Sequence, residues 1–429
     1  MHKLFTVFLL PASLVAAPQS EQELEAKARG VHKRVLTLDT HKDINPTLAL
    51  GTKLTDAAEV KRWRERNDPT VNGSNQVDFP KMRAGLYDCA FYIVYVGQGP
   101  VSGGGFVKAK RSALLKFDAI HRMCEKYPEH IGLAYTPDDV RKMHKEGRLT
   151  ACIGIENGYP MGTNLSLIEE FHKRGARYMG ITHNGHNQLG DSHSVREPLH
   201  GGLSELGRKA VAEMNRVGIM VDISHSAKST MMQTLEISKA PVLASHSGCR
   251  ALCDVTRNLD DEQLRALKKN GGVIQCVALG SFVVDSKART AARAKLRKEI
   301  GAPSWRETYA LKEKGNIDPA VKAKIDEYET RVKELDKKFP TANVKNFVDH
   351  IDHAVKIMGV DHVAISSDFD GGGGIDGWQD ASETFNVTME LVRRGYSEEQ
   401  IGKIWSGNTL RLWAEVEKVA AAIQKSAIK

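Results

Sequence analysis

Histidines and carboxylates recur at one kind of place in this chain: where short, β-rich apolar runs stop. His41 and Asp43 close the run VLTLDTH (35–41) and its continuation, and Glu156 closes TACIGIE (150–156). His183 closes RYMGITH (177–183), His225 closes GIMVDISH (218–225), His246 closes APVLASH (240–246), and Asp368 lies near the end of HVAISSDFD (362–370). Imidazole and carboxylate ligands suit zinc, and a carboxylate can bridge two ions. Residues i and i+2 of an extended chain point the same way, so His41 and Asp43 can face one ion together. Taken singly, each group has a plainer reading. A histidine at a strand end is commonly a hydrogen-bonded core or surface residue, and an acid in a loop commonly caps a helix. The recurrence at strand after strand is what points to a site for a pair of metal ions.

Such a site needs elements that bring distant strand ends together. Two further apolar runs, AFYIVYV (90–96) and GGVIQCVAL (271–279), bring the total to eight. Between them lie segments with a 3.6-residue period, among them LSELGRKAVAEMNRVG and DEQLRALKKNGG, each ending in a glycine suited to a helix C-cap. Near-continuous apolar strands alternating with helices predict a parallel sheet covered by helices. Eight such units predict a (β/α)8 TIM barrel, which gathers the C-terminal ends of its strands around one mouth. A doubly wound sheet is the alternative, weakened because no GxGxxG follows any strand.

The chain has 429 residues, 41% hydrophobic and 27% charged, which excludes disordered, collagen-like and disulfide-dense classes. Its net charge of +8 is unevenly spread. Residues 285–340 carry fifteen Lys/Arg against ten Asp/Glu, a local excess of +5. Basic and acidic residues are interleaved there, which argues for a solvated helix face and against nucleic-acid binding. Val321, Ile325, Tyr328, Val332, Leu335 and Phe339 form an apolar stripe, with Asp318 to cap the helix, Pro319 in its first turn and Pro340 to stop it. This segment is expected as a helical insertion before the last strand, packed on the outside of the barrel. The opening MHKLFTVFLLPASLVAA reads as a signal peptide cut after Ala17, followed by a single barrel domain over 18–429. No later run reaches membrane-spanning length, so an exported protein without a transmembrane segment is expected. The six cysteines, Cys89, Cys124, Cys152, Cys249, Cys253 and Cys276, read mainly as buried free thiols, with one disulfide left open.

The stretches THKDIN, GIENGYPMG, YMGITHNGHNQLGDS, VDISHS, LASHSGCRALCDVTRNLDD and ISSDFDGGGG resemble the membrane (renal) dipeptidase family, a branch of the amidohydrolase superfamily. The resemblance runs from about Val35 to about Glu417, interrupted by 285–340. It implies a barrel, two zinc ions per chain, and hydrolysis of unblocked dipeptides by a hydroxide shared between the ions. It further implies that His41 and Asp43 bind one zinc, that His225 and His246 bind the other, and that Glu156 bridges them. His183 would contact the scissile carbonyl, Arg257 the terminal carboxylate with Asn258 beside it, and Asp368 would be the acid/base group. A homodimer is compatible with the resemblance.

Some positions stay open on sequence. Asp370 follows Asp368 by two and competes with it for the acid/base role. His186 and His193 read as rim residues, His350 and His353 as structural, and Arg250 as a surface or helix-start residue. Lys42 and Ile44-Asn45 stand where the family often has Asn and Leu-Pro, which changes the pocket wall. The cysteines of the mammalian disulfide are missing, so that bridge is not carried over. Two other functions are weighed: a related amidohydrolase acting on another small amide, lactam or ester, and a binding protein using the basic insertion.

Overall fold

The computed structural model describes residues 20–304, 307–308, 311, 317–339 and 341–427. The signal-peptide run and Pro340 lie outside the described residues. Among the described residues, nine strands form one parallel sheet: β1 Leu38–Asp43, β2 Cys89–Tyr95, β3 Ile131–Leu133, β4 Leu149–Glu156, β5 Ala176–Gly180, β6 Met220–Asp222, β7 Leu243–Ser247, β8 Val273–Val277 and β9 Val363–Ser366. Eight of them run in the order β1-β2-β4-β5-β6-β7-β8-β9, with β3 a side branch on β4. Past the end of β9 the chain folds back onto β1. The Asp43 amide donates to the Phe369 carbonyl at 2.8 Å and the Asp368 amide to the His41 carbonyl at 3.0 Å. That nearly closes the ring, and the fold is the expected (β/α)8 TIM barrel.

The eight sequence runs all become strands of the ring. β3 is not anticipated, because three residues, Ile-Gly-Leu, carry no readable alternation. The strands are buried on both faces, as their apolar composition requires: every residue of β4 is buried. Asp43 and Asp368 therefore come to the mouth because strand twist and closure leave the C-terminal ends of β1 and β9 side by side.

The opposite end of the barrel is filled. Leu38, Cys89, Met220, Leu243, Val273 and Ala364, at or next to the first residues of their strands, form one buried cluster with Leu410, Leu412, Trp413 and Val416 of the helix Asn408–Ala427. Trp413 meets Phe91 edge-on at 6.0 Å. The C-terminal helix thus stoppers the bottom of the barrel with a large apolar surface.

The insertion lies between β8 and β9, and its described residues include the helices Lys287–Ile300 and Pro319–Asp336. Asp318 caps the second through the Ala320 and Val321 amides, with Pro319 in the first turn. Its apolar stripe is mostly half-buried. Only Ile325 is fully buried. Arg293 pairs with Asp336, Arg331 with Glu299, and Arg297 lies 3.9 Å from the Tyr328 ring centre, so the two helices are held mainly to each other. All six cysteines are free thiols. Among the described residues, no helix is long and apolar enough to cross a membrane.

Candidate active site

The carboxylate of Glu156 lies at the centre of the mouth. Its Oε1 is 2.9 Å from His225 Nε2, 3.3 Å from His246 Nε2 and 3.7 Å from His183 Nε2, while Oε2 is 3.6 Å from His41 Nε2. His41 Nε2 also lies 3.8 Å from Asp368 Oδ1 and 4.0 Å from Asp43 Oδ2. Three overlapping trios have ligand atoms within 4.8 Å of one another: His41, Glu156 and His246; Glu156, His183 and His225; His41, Asp43 and Asp368. Groups from β1, β4, β7 and the loops after β5, β6 and β9 thus meet within one small space.

The outer hydrogen bonds of three imidazoles decide what they offer inward. Tyr178 donates its hydroxyl to the Thr40 carbonyl at 3.0 Å, so it accepts from His41 Nδ1 at 3.1 Å. Ser245 donates to Asp222 Oδ2 at 2.7 Å, so it accepts from His246 Nδ1 at 2.8 Å. The Asn184 amide oxygen accepts from His225 Nδ1 at 3.1 Å. In the neutral imidazoles the proton is therefore on Nδ1 and the Nε2 lone pairs point at Glu156. His225 Nε2 and His246 Nε2 stand 3.0 Å apart, and buried His41 Nε2 has no hydrogen-bond partner among the described residues. Lone pairs and carboxylates crowded this way repel unless a cation lies among them, so the residues fit metal ions.

Burial and charge set the protonation of the site. For Glu156, burial favours the neutral acid, but His183, His41 and the other imidazoles outweigh it and hold the carboxyl well below the usual range. Burial alone would lower His41, yet Glu156, Asp368 and Asp43 raise it to about 9. Burial, reinforced by Arg257, pushes His225 and His246 well down. Asp368 is raised to about 8, chiefly by burial and further by Asp43 and Glu156. A metal cation among these groups would displace the protons that His41 and Asp368 hold.

Two site residues adopt left-handed backbone, His225 at φ 65° and Asp368 at φ 58°, a conformation that costs a non-glycine residue energy and is kept where it aims a group. Gly371 is the counterpart. A β-carbon there would lie 2.3 Å from Asp43 Oδ2 and 2.5 Å from Asp368 Oδ1. Gly371→Ala is expected to lower kcat/KM about tenfold to a hundredfold with little change in Tm, since the loop is exposed and only the carboxylates must move. Steady-state rates and a melting curve check both halves. At Gly154 a β-carbon would lie 2.2 Å from Tyr178 Cζ, so that glycine lets the tyrosine cross the barrel to His41.

Arg257 stands beside the cluster, 3% exposed. Its Nη1 donates to Ser247 Oγ at 2.8 Å, while Nε and Nη2 have no hydrogen-bond partner among the described residues. Burial lowers its pKa to about 10, and it stays cationic at neutral pH. A buried guanidinium with two adjacent donors unpaired matches a carboxylate in two-pronged geometry.

The remaining candidates find other posts. The Asp370 carboxylate turns away to Lys42 at 2.9 Å and the Gln76 amide at 2.7 Å, which leaves Asp368 as the acid at the cluster. Asn258, expected at the substrate, gives its amide to Cys253 and Phe282 carbonyls and accepts from the Gly248 amide; it clamps the loop that carries Arg257. His350 accepts from the Cys249 amide and donates to the Val283 carbonyl, the structural role expected of it. His186 accepts from the Ser192 amide within its own loop. Tyr178, Asp222, Ser245, Ser247 and Asn184 are not singled out by strand-end spacing. Asn184 and the serines lie within the motif stretches, and the buried acid Asp222 three residues before His225 is the one local signal.

A family model described as membrane dipeptidase (peptidase family M19) matches residues 25–427. Dipeptidase aclJ of Aspergillus oryzae is 30% identical over 404 residues, covering 92% of this chain and 83% of that protein. The crystal structure of the probable dipeptidase PvdM from Pseudomonas aeruginosa is 31% identical, with a TM-score of 0.76, over 93% of this chain and 100% of that one. A metallo peptidase from Rhodobacter sphaeroides, crystallised with a phosphinate mimic of L-Ala-D-Ala, shares the fold at 22% identity and a TM-score of 0.66, over 89% of this chain and 99% of that one.

Proposed function

Because the chain belongs to the membrane dipeptidase family, we propose that it is an exported dipeptidase that holds two zinc ions and hydrolyses the peptide bond of unblocked dipeptides. The observation that carries this reading is the convergence of the Nε2 atoms of His41, His225 and His246 on the Glu156 carboxylate, with the open edge of Arg257 beside them. In this reading His41 and Asp43 hold one ion, His225 and His246 the other, and Glu156 bridges. When bound, such a pair supplies Lewis acidity and eases ionisation of water near neutral pH.

The chain's own groups do the rest. Arg257 receives the substrate's terminal carboxylate and so fixes how far the scissile bond can lie from the cluster, which restricts the enzyme to short substrates. His183, lowered by burial, faces the cluster from the loop after β5 and polarises the scissile carbonyl. Asp368 takes a proton from the attacking water and returns it to the leaving amine.

Two zinc ions per chain by elemental analysis, and free amino acids released from unblocked dipeptides, are the expected results. N-terminal sequencing of exported material is expected to begin at Pro18. A protein loaded with two zincs that leaves every unblocked dipeptide intact would overturn the proposal.

A further inference from the structure

A second cation stands at the mouth, beside the groups proposed to hold metal and not one of them. The helix Gly103–Lys126 sends Lys116 to the ends of β1 and β2. Its Nζ lies 3.4 Å from Asp43 Oδ1 and 5.0 Å from the Tyr95 ring centre, with 13% of the side chain exposed. The Tyr95 ring in turn meets His183 edge-on at 4.8 Å. Lys116 therefore stands at the rim of the ligand cluster, on the side where β1 and β2 end.

The ring order fixes where that is relative to Arg257. In the order β1-β2-β4-β5-β6-β7-β8-β9, β2 and β7 are four places apart, on opposite sides of an eight-stranded ring. Arg257 follows β7 and rests on Ser247, the last residue of that strand. The two cations thus flank the Glu156 cluster from opposite sides. A dipeptide with its terminal carboxylate on Arg257 and its scissile bond over the cluster directs its N-terminal residue toward Lys116.

We propose that the site prefers dipeptides whose N-terminal residue bears a carboxylate side chain, with the Lys116 ammonium receiving it; this rests on the dipeptidase reading. An ammonium has three donors, and the contact to Asp43 uses one at a distance longer than a good charge-assisted bond. The neighbouring Lys42 does not compete, because it is 3% exposed and committed to Asp370 at 2.9 Å. The face of Tyr95 walls the ammonium, so a carboxylate there is partly shielded from water, where a charge pair counts for more.

The test compares kcat/KM for Glu-Ala, Gln-Ala and Ala-Ala on the zinc-loaded wild type, Lys116→Met and Lys116→Arg. The wild type is expected to favour Glu-Ala over its isosteric amide Gln-Ala by about tenfold or more. Lys116→Met is expected to bring that ratio to one or below, and Lys116→Arg to restore most of it. Because Lys116 also touches Asp43, zinc content is measured on each variant; loss of metal lowers both rates alike and leaves the ratio unchanged. A wild-type ratio near one, with Gln-Ala and Ala-Ala cleaved, overturns the acidic preference and leaves the dipeptidase reading standing. A preference that survives in Lys116→Met overturns the assignment to Lys116. Cleavage of none of the three overturns both.

Discussion

Replacing Asp368 by asparagine is expected to lower kcat about 10²- to 10⁴-fold, the range a positioned acid/base group supplies, with KM nearly unchanged. The amide keeps the shape of the side chain and cannot carry a proton between water and leaving amine. Metal content separates two roles for this residue, since Asp368 also forms a trio with His41 and Asp43. Two zincs retained with activity lost fits the proton carrier; one zinc lost makes Asp368 a ligand instead. The same variant has a stability signature in the metal-free protein. Burial and the nearby acids raise Asp368 from the ordinary 3.8 to about 8. Between those values the unfolded chain ionises while the folded one keeps its proton, so wild-type stability falls as pH rises through that window. Asparagine removes that slope. The metal-free variant is therefore expected to gain stability over wild type progressively from about pH 4 to about pH 8, readable from denaturant midpoints. A pH-independent difference would show that burial does not hold the proton on Asp368.

Arg257→Met is the second large effect. A charge pair at a buried site is worth roughly 2–5 kcal/mol, and each 1.4 kcal/mol is tenfold, so kcat/KM for dipeptides is expected to fall about 30-fold to several thousandfold, mostly through KM. Methionine fills much of the same space and removes a buried cation held by only one hydrogen bond, to Ser247. The fold is therefore expected to tolerate the change with little loss of Tm. If dipeptide hydrolysis is unaffected, the terminal carboxylate lies elsewhere. An unaffected activity on a neutral amide, lactam or ester would favour the related-amidohydrolase reading.

The parts of this molecule that follow from periodicity were legible in its sequence. Eight apolar runs gave the ring, and residues at their ends became a cluster because a parallel barrel leaves all C-terminal ends on one face. Two kinds of feature were not legible. The first is short or tertiary structure: β3 is three residues long, and the ion pairs Arg293–Asp336 and Arg331–Glu299 that tie two helices of the insertion together join residues some thirty to forty apart. The second is the support behind the clustered imidazoles. Tyr178 comes from β5 to reach His41, and Asp222 acts on His246 through Ser245, contacts that depend on strand register and not on spacing along the chain. Asp368 and Asp370 could not be ranked two residues apart, because the side each faces is set by the left-handed turn at both positions.

The stoppered floor of the barrel has a consequence for traffic. With Trp413 and its neighbours filling one end, a substrate of the proposed kind would enter, and its products leave, by the face where the strands end. The two halves of a cleaved dipeptide are not equal there. If Arg257 receives the terminal carboxylate as proposed, the half that carries it would remain there after the bond is broken, and the other would be released toward the β1–β2 side. Departure would then be ordered, and the amino acid from the C-terminal half is expected to act as a competitive inhibitor, a result that inhibition kinetics with each product would check. An enzyme of this design is fastest where that amino acid is carried away as quickly as it is made.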